Sequence, residues 1–185
     1  MPLVKHGRIV ADSYVCVADD APVTDEVAVI VPAVRFLADA VLVQRAAPTG
    51  VLWPNDRRIA ELAPWLDRLA LVALAFPSFR DGRAYSQARQ LRERYGFRGE
   101  LRATGDVLRD QFLFLIRAGF DSLEVKKDAD AAAFAEAVGR YSVFYQPSAD
   151  GRASMARQRL LSRSERSTAG AVQPARSAPV FVDSD

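Results

Sequence analysis

Residues 69–121 read LALVALAFPSFRDGRAYSQARQLRERYGFRGELRATGDVLRDQFLFLIRAGFD, and the punctuation of this stretch decides the fold. Leu69 to Phe76 is apolar throughout, as a central strand with both faces covered should be. It breaks at Pro77-Ser78, and Ala84, Ala88, Leu91 and Tyr95 then recur at helical spacing until Gly96. Glu100 to Thr104 reads as a second strand, and Val107 to Arg117 as a second helix closed by Gly119. Two strand–loop–helix units in succession imply right-handed crossovers and parallel strands. The loops Pro77–Arg83 and Gly105–Asp106 then open on the same sheet edge, where α/β sheets and barrels place their ligands.

The same alternation extends outward. Val27 to Val31 reads as a buried strand, and Pro32 suits the first turn of the helix that follows. Gly50 to Trp53 is a strand, with an Asn55 or Asp56 cap and a short helix carrying Ile59 and Leu62. Downstream, Ser122 to Val125 is a strand, Asp130 to Arg140 a helix and Ser142 to Tyr145 a last strand. Upstream, Gly7 to Val10 and Tyr14 to Val17 suit a β-hairpin turning at Ala11-Asp12-Ser13. The expected fold class is α/β: repeated βα units with a mainly parallel sheet, as a partial barrel or an open sheet, preceded by an N-terminal hairpin within residues 1–18. Residues 1–146 form the expected single domain. Residues 147–185 are rich in Arg, Ser, Ala and Pro and read as a disordered tail.

Composition limits the chemistry. The chain has 185 residues and a net charge of +2, and positions 1–146 balance 19 basic against 19 acidic residues. With one cysteine, Cys16, and one histidine, His6, no iron–sulfur cluster, structural zinc site or internal disulfide is expected. A Ser-His-Asp or Cys-His arrangement would need His6 to fold back from the start of the chain. No apolar run reaches membrane-spanning length and no signal pattern opens the chain, so a cytoplasmic protein without a membrane partner is expected.

What remains to do work is Arg, Asp, Ser and Gln. The first loop and the helix after it offer Ser78, Arg80, Asp81, Arg83, Ser86 and Arg89, which suit an anion. The same residues also suit plain structure, with Asp81 capping the helix and Arg83 answering Asp106 or Asp110. The second loop offers Thr104, Gly105, Asp106, Arg109, Asp110 and Gln111, with Asp106 placed to cap a helix starting near Val107. Lys126-Lys127 falls on the same edge. Nine arginines between Arg80 and Arg117 face five carboxylates, but those on the helix lie mostly opposite its apolar stripe, which favours a solvated face over nucleic acid. No glycine-rich dinucleotide fingerprint or P-loop is present.

At these residues the chain resembles a bacterial family classed as domain of unknown function 934. The shared words are Met1-Pro2-Leu3-Val4-Lys5 with Gly7-Arg8-Ile9, Leu62-Ala63-Pro64, Leu66-Asp67-Arg68-Leu69, Phe76-Pro77-Ser78-Phe79, Asp81-Gly82-Arg83, Tyr85-Ser86, Ala88-Arg89 and Leu91-Arg92. They continue through Gly99 to Ala103, Gly105-Asp106-Val107-Leu108, Asp110-Gln111 and Gly119-Phe120-Asp121, so the resemblance covers about residues 1 to 146. Ala84 stands where the family has Gly, and Ala118 where it often has Cys, which argues against a required thiol. Members are often labelled oxidoreductases involved in sulfite reduction, so the resemblance implies a place in that pathway with sulfite reductase as partner. Sulfite reduction to sulfide takes six electrons through redox centres that this cysteine-poor chain cannot hold, so it is not the metal-cluster reductase itself. The expectation is an accessory of assimilatory sulfite reduction acting by binding, assembly or electron delivery. The alternative is a small enzyme or carrier that binds a phosphate-bearing ligand, flavin or nicotinamide, at the strand ends.

Overall fold

The computed structural model of the chain describes residues 1–139, 144–149 and 154–160. The chain divides into two compact units, one of Met1–Ser142 with Ser148–Arg152, the other of Val143–Pro147 with Ala153–Asp185. In the second, Phe144 bridges to Ser154 and residues 155–160 are helical. Of the strand expected over Ser142 to Tyr145, Ser142 and Val143 lie outside the described residues, as do residues 161–185 of the tail.

Among its described residues the first unit carries eight strands: β1 (Leu3–Lys5), β2 (Arg8–Val10), β3 (Val15–Cys16), β4 (Val29–Pro32), β5 (Thr49–Trp53), β6 (Leu71–Phe76), β7 (Glu100–Gly105) and β8 (Ser122–Glu124). Four helices accompany them: α1 (Ala33–Ala38), α2 (Arg83–Arg89), α3 (Phe112–Ala118) and α4 (Ala129–Gly139), with 3₁₀ turns filling the β5–β6 connection. None of the described helices is long and apolar enough to cross a membrane. The strands form one sheet in the order β2-β1-β8-β7-β6-β5-β4-β3. Strands β3 to β8 run parallel and in sequence, while β1 lies antiparallel to both β8 and β2.

Sequential order decides between the two expected architectures in favour of a partial barrel. Right-handed crossovers repeated in one direction put every helix on the same face. That face holds the main core, in which Val72, Leu74, Phe76, Leu101 and Ala103 meet Ala84, Ala88 and Leu91 of α2 and its extension and Phe112 and Leu115 of α3. The sheet curls the other way, and chain connectivity shows why it must. Were the sheet flat, eight strands about 4.8 Å apart would separate β2 from β3 by roughly 34 Å. Yet Val10 and Val15 are joined by Ala11–Tyr14 alone, a link that reaches about 18 Å at full extension. The result is a curled half-barrel.

The N-terminal hairpin is present but pairs differently from the expectation. Its strands are β1 and β2, and its turn is His6-Gly7, with φ of 51° and 76°. Positive φ at both central positions is what a two-residue turn matching the strand twist requires, and glycine meets it without strain. Ala11-Asp12-Ser13 is therefore not a hairpin turn. This segment descends across the concave face from the end of β2 to β3, which pairs in parallel with β4 at the opposite edge of the sheet.

Two helix ends fall where glycine marks them in the sequence. Gly96, at φ 65°, stands just past the Gln90–Arg94 continuation of α2, a wider π-type turn in which the Tyr95 N–H reaches the Gln90 carbonyl. Gly119, at φ 104°, closes α3.

Candidate functional site

The site is built from strand register. β6 and β7 pair over six residues, from Leu71 opposite Glu100 to Phe76 opposite Gly105, so both strands end at one level. Gly105 has φ 98°, and a Cβ there would lie 2.5 Å from the Phe76 carbonyl oxygen. Only glycine allows this approach, which is sealed by the Asp106 N–H donating to the Phe76 carbonyl at 2.8 Å.

The second loop then clamps the first. The Phe79 N–H donates to Asp106 Oδ2 at 3.0 Å, and Gln111 Nε2 donates to the Phe79 carbonyl at 2.8 Å. Gln111 is itself held by the Leu108 N–H at 3.2 Å. Lys126, arriving after β8, donates to Asp106 Oδ1 at 2.7 Å. With both backbone groups of Phe79 fixed from the neighbouring loop, its ring stays 42% exposed, and the Arg80 guanidinium lies over it at 5.4 Å.

Several expected roles change. Asp106 does not cap a helix: α3 starts only at Phe112, after a 3₁₀ turn at Arg109–Gln111, and the Asp106 carboxylate is taken by Phe79 and Lys126. Arg83 answers neither Asp106 nor Asp110. It forks onto Asp81 two residues earlier, with Nη2 to Oδ2 at 2.6 Å and Nε to Oδ1 at 3.0 Å, while Asp81 Oδ1 also takes the Arg83 N–H at 3.2 Å. This local ring forms because a two-residue separation leaves no loop to close. Ser78 Oγ accepts the Arg80 N–H at 3.3 Å, a turn role. Arg89 pairs with Glu93 one turn on, both exposed, and stands apart from the loops. Ser86 lies along α2 with Arg83, and Asp110 lies near enough to Tyr85 to influence it. The structure thus joins Gly105, Asp106 and Gln111 to the Ser78–Arg80 loop, and keeps Asp81–Arg83 as a separate pair.

The electrostatics match this bracing. Hydrogen bonds from the Lys126 ammonium and the Phe79 N–H hold the Asp106 carboxyl below its usual range. Those from the Arg83 side chain and N–H hold Asp81 lower still. Both carboxylates are ionised bases of low proton affinity, suited to fixing loops and to facing cations. Burial, with the Asp110 charge second, pushes Tyr85 up to about 12.

A second polar cluster lies on the concave face. From β7, Glu100, Arg102 and Thr104 point there together with Ser122 and Glu124 of β8 and Lys5 of β1. Arg102, 1% exposed, forks onto Asp12 of the crossing segment at 2.6 and 3.0 Å and reaches Glu100 at 3.2 Å. Its guanidinium also stacks on Tyr14 at 5.6 Å and stands 3.7 Å from Glu124. Lys5 and Ser122 donate to Glu100 at 2.8 and 2.6 Å, and Thr104 to Glu124 at 2.5 Å. Burial raises the Asp12 and Glu100 carboxyls, but the bonds from Arg102 and Tyr14 to the first, and from Lys5 and Ser122 to the second, outweigh it and leave both lowered. Of these residues only Thr104 was expected at a site, as part of the second loop. The signal was the polar–apolar alternation of Glu100-Leu101-Arg102-Ala103-Thr104, which in a parallel strand means that one face is not helix-covered.

The remaining groups lie elsewhere. His6 sits in the β1–β2 turn, at the edge opposite the loops. Cys16 is exposed on β3; partial burial, then the charges of Glu124 and Asp12, push its thiol upward, away from an activated thiolate. Among the described residues no cluster of His, Cys, Asp or Glu could hold a metal ion.

No curated protein is similar enough to count as a relative of this chain. A family model described as "Bacterial protein of unknown function (DUF934)" matches residues 50–156, a span that includes both loops, β7 and β8. By that match, over more than half of its length, the chain belongs to the DUF934 family.

Proposed function

We propose that this protein is a cytoplasmic accessory of assimilatory sulfite reduction that binds sulfite reductase through the carboxyl edge of β6 and β7. The pathway and the partner come from the label that family members carry. The binding surface comes from one observation: Phe79 is held rigidly by Asp106 and Gln111 while its ring, with Arg80 over it, remains exposed. Aromatic and arginine side chains are the commonest anchors of protein interfaces, and an anchor ordered before docking loses little conformational freedom on binding. The groups around it are engaged in mutual hydrogen bonds that hold a surface in place, so docking suits this edge better than bond-breaking chemistry.

The test is recovery of the untagged complex from producing cells grown on sulfate as sole sulfur source, read by mass spectrometry. Sulfite reductase should co-purify with the wild-type chain and be lost with Phe79→Ala/Arg80→Ala at unchanged melting temperature. Normal growth of a deletion strain on sulfate, or recovery of the reductase equally with the double variant, would contradict the proposal.

A further inference from the structure

The polar stripe of α2 does not simply face solvent. Arg83, Ser86 and Gln87 of α2 and Arg94 of its continuation share one side, and with Arg57 and Arg58 of the loop after β5 they line a cleft of about 340 Å³. Four of these six residues are arginines, and no carboxylate lines the cleft among the described residues. Arg83 is already forked onto Asp81, and Arg57 stands 3.9 Å from Glu61. Arg58 and Arg94 have no carboxylate within ion-pair distance among the described residues, although Arg94 stacks on Tyr95 at 5.4 Å.

Beneath the arginines lie polar atoms that the protein leaves without partners. Gln87 is 5% exposed, and its Nε2 donates to the Pro54 and Arg57 carbonyls at 3.1 and 2.8 Å. Two carbonyl partners fix which end of the amide is the NH₂. Its Oε1 is therefore an acceptor, buried and unbonded, as is the donor Arg57 Nη1. Asn55, also 5% exposed, lines the cleft with its Nδ2 outside hydrogen-bond geometry, though close enough to Asp81 to help hold that carboxyl low. Buried polar groups are bonded in the great majority of cases, so these atoms call for partners from outside the chain.

We propose that this cleft binds a phosphate-bearing small molecule. The guanidinium groups supply forked donors for the oxyanion. The Gln87 acceptor adds a requirement that separates phosphate from sulfate: it needs a donor from the ligand. A phosphate P–OH, or a hydroxyl beside the phosphate in a nucleotide, provides one, and sulfate at neutral pH does not. At about 340 Å³ the cleft lies at the small end of the range of ligand pockets. This site is distinct from the Phe79–Arg80 surface, since neither residue lines the cleft.

Isothermal titration calorimetry on the full chain, in dilute buffer at neutral pH, tests it with inorganic phosphate, adenosine monophosphate and sulfate. Phosphate or the nucleotide should bind at least about tenfold more tightly than sulfate, and whichever of the two is tighter tells the free anion from the ester. Arg58→Ala and Arg94→Ala should each weaken binding about tenfold or more, the loss expected for a charged hydrogen bond. Arg89→Ala, on a different side of α2, should leave it unchanged. Sulfate binding as tightly as both phosphates, an equal loss with Arg89→Ala, or no heat up to about 10 mM of either phosphate would overturn the assignment.

Discussion

Replacing Arg102 by Met tests whether the concave-face cluster holds the curled sheet together. Among the described residues Arg102 is the one cation shared by Asp12, Glu100 and Glu124, whose side chains are 33%, 15% and 18% exposed. Methionine fills similar volume without charge, so packing loss is small and the effect is electrostatic. Glu100 keeps Lys5 and Ser122, and Glu124 keeps Thr104. Asp12 keeps only the Tyr14 N–H, and the crossing segment loses its anchor to β7. Breaking a buried pair from one side costs about 3–5 kcal/mol. Because Asp12 can turn toward water, the lower end, about 3 kcal/mol, is expected at neutral pH.

The pH dependence separates charge from packing. In the wild type the Asp12 and Glu100 carboxyls are lowered. Their contribution is therefore present above the unfolded values, about 3.9 and 4.3, and disappears as pH falls through the folded ones. Without Arg102 the burial that raises both groups is less opposed, at Asp12 by the Tyr14 N–H without the guanidinium and at Glu100 by Lys5 and Ser122. The variant's penalty should be largest near neutral pH and shrink on acidification to about pH 4. Urea unfolding at the two pH values gives both numbers. A penalty under about 1 kcal/mol at neutral pH, or one that does not change with pH, would refute the reasoning. Replacing Asp12, Glu100 and Glu124 by their amides in the Arg102→Met background should recover part of the loss, because the stranded charges are then gone.

Further outcomes follow from the same contacts. Gly105→Ala should lower stability by at least about 1–2 kcal/mol, the cost of a left-handed non-glycine residue, plus the displacement of the Phe76 carbonyl, read by thermal unfolding. Arg92 binds the Gly119, Phe97 and Gly99 carbonyls and Asp121 with one guanidinium. Arg92→Lys should therefore fail to restore more than a fraction of the stability lost in Arg92→Ala, because an ammonium lacks the planar fork. Asp106→Ala should change global stability by under about 1 kcal/mol, as an exposed pair does, yet speed hydrogen exchange at the Phe79 amide, which loses its acceptor.

The βα repeat was legible because residue types repeat with unmistakable periods: Leu71–Phe76 is apolar without a break, and Gly96 and Gly119 mark helix ends that need positive φ. The level of the two loops was legible too, since parallel strands of equal length end together. Pairing was not. Nothing local says that Lys5 and Arg8 flank the turn while Ala11–Tyr14 crosses the concave face, because that choice depends on the curl of the whole sheet and on Arg102, ninety residues away. Asp106 looked like a cap for the same reason: its position before a helical pattern is visible in sequence, and its partners Phe79 and Lys126 are not. The alternation within Glu100–Thr104 did carry the concave face in plain view. The arginines opposite the apolar stripe of this helix were visible as a polar face, but only the β5 loop, folded against the side that carries Gln87, turns part of it into a cleft.

The central claim is that the carboxyl edge of β6 and β7 is a docking surface for sulfite reductase. Mass spectrometry of the native complex recovered from cells growing on sulfate tests it most directly. The account predicts sulfite reductase with the wild-type chain and its absence with Phe79→Ala/Arg80→Ala, at equal melting temperatures. Absence of the reductase from the wild-type complex, or its retention by the double variant, would contradict it.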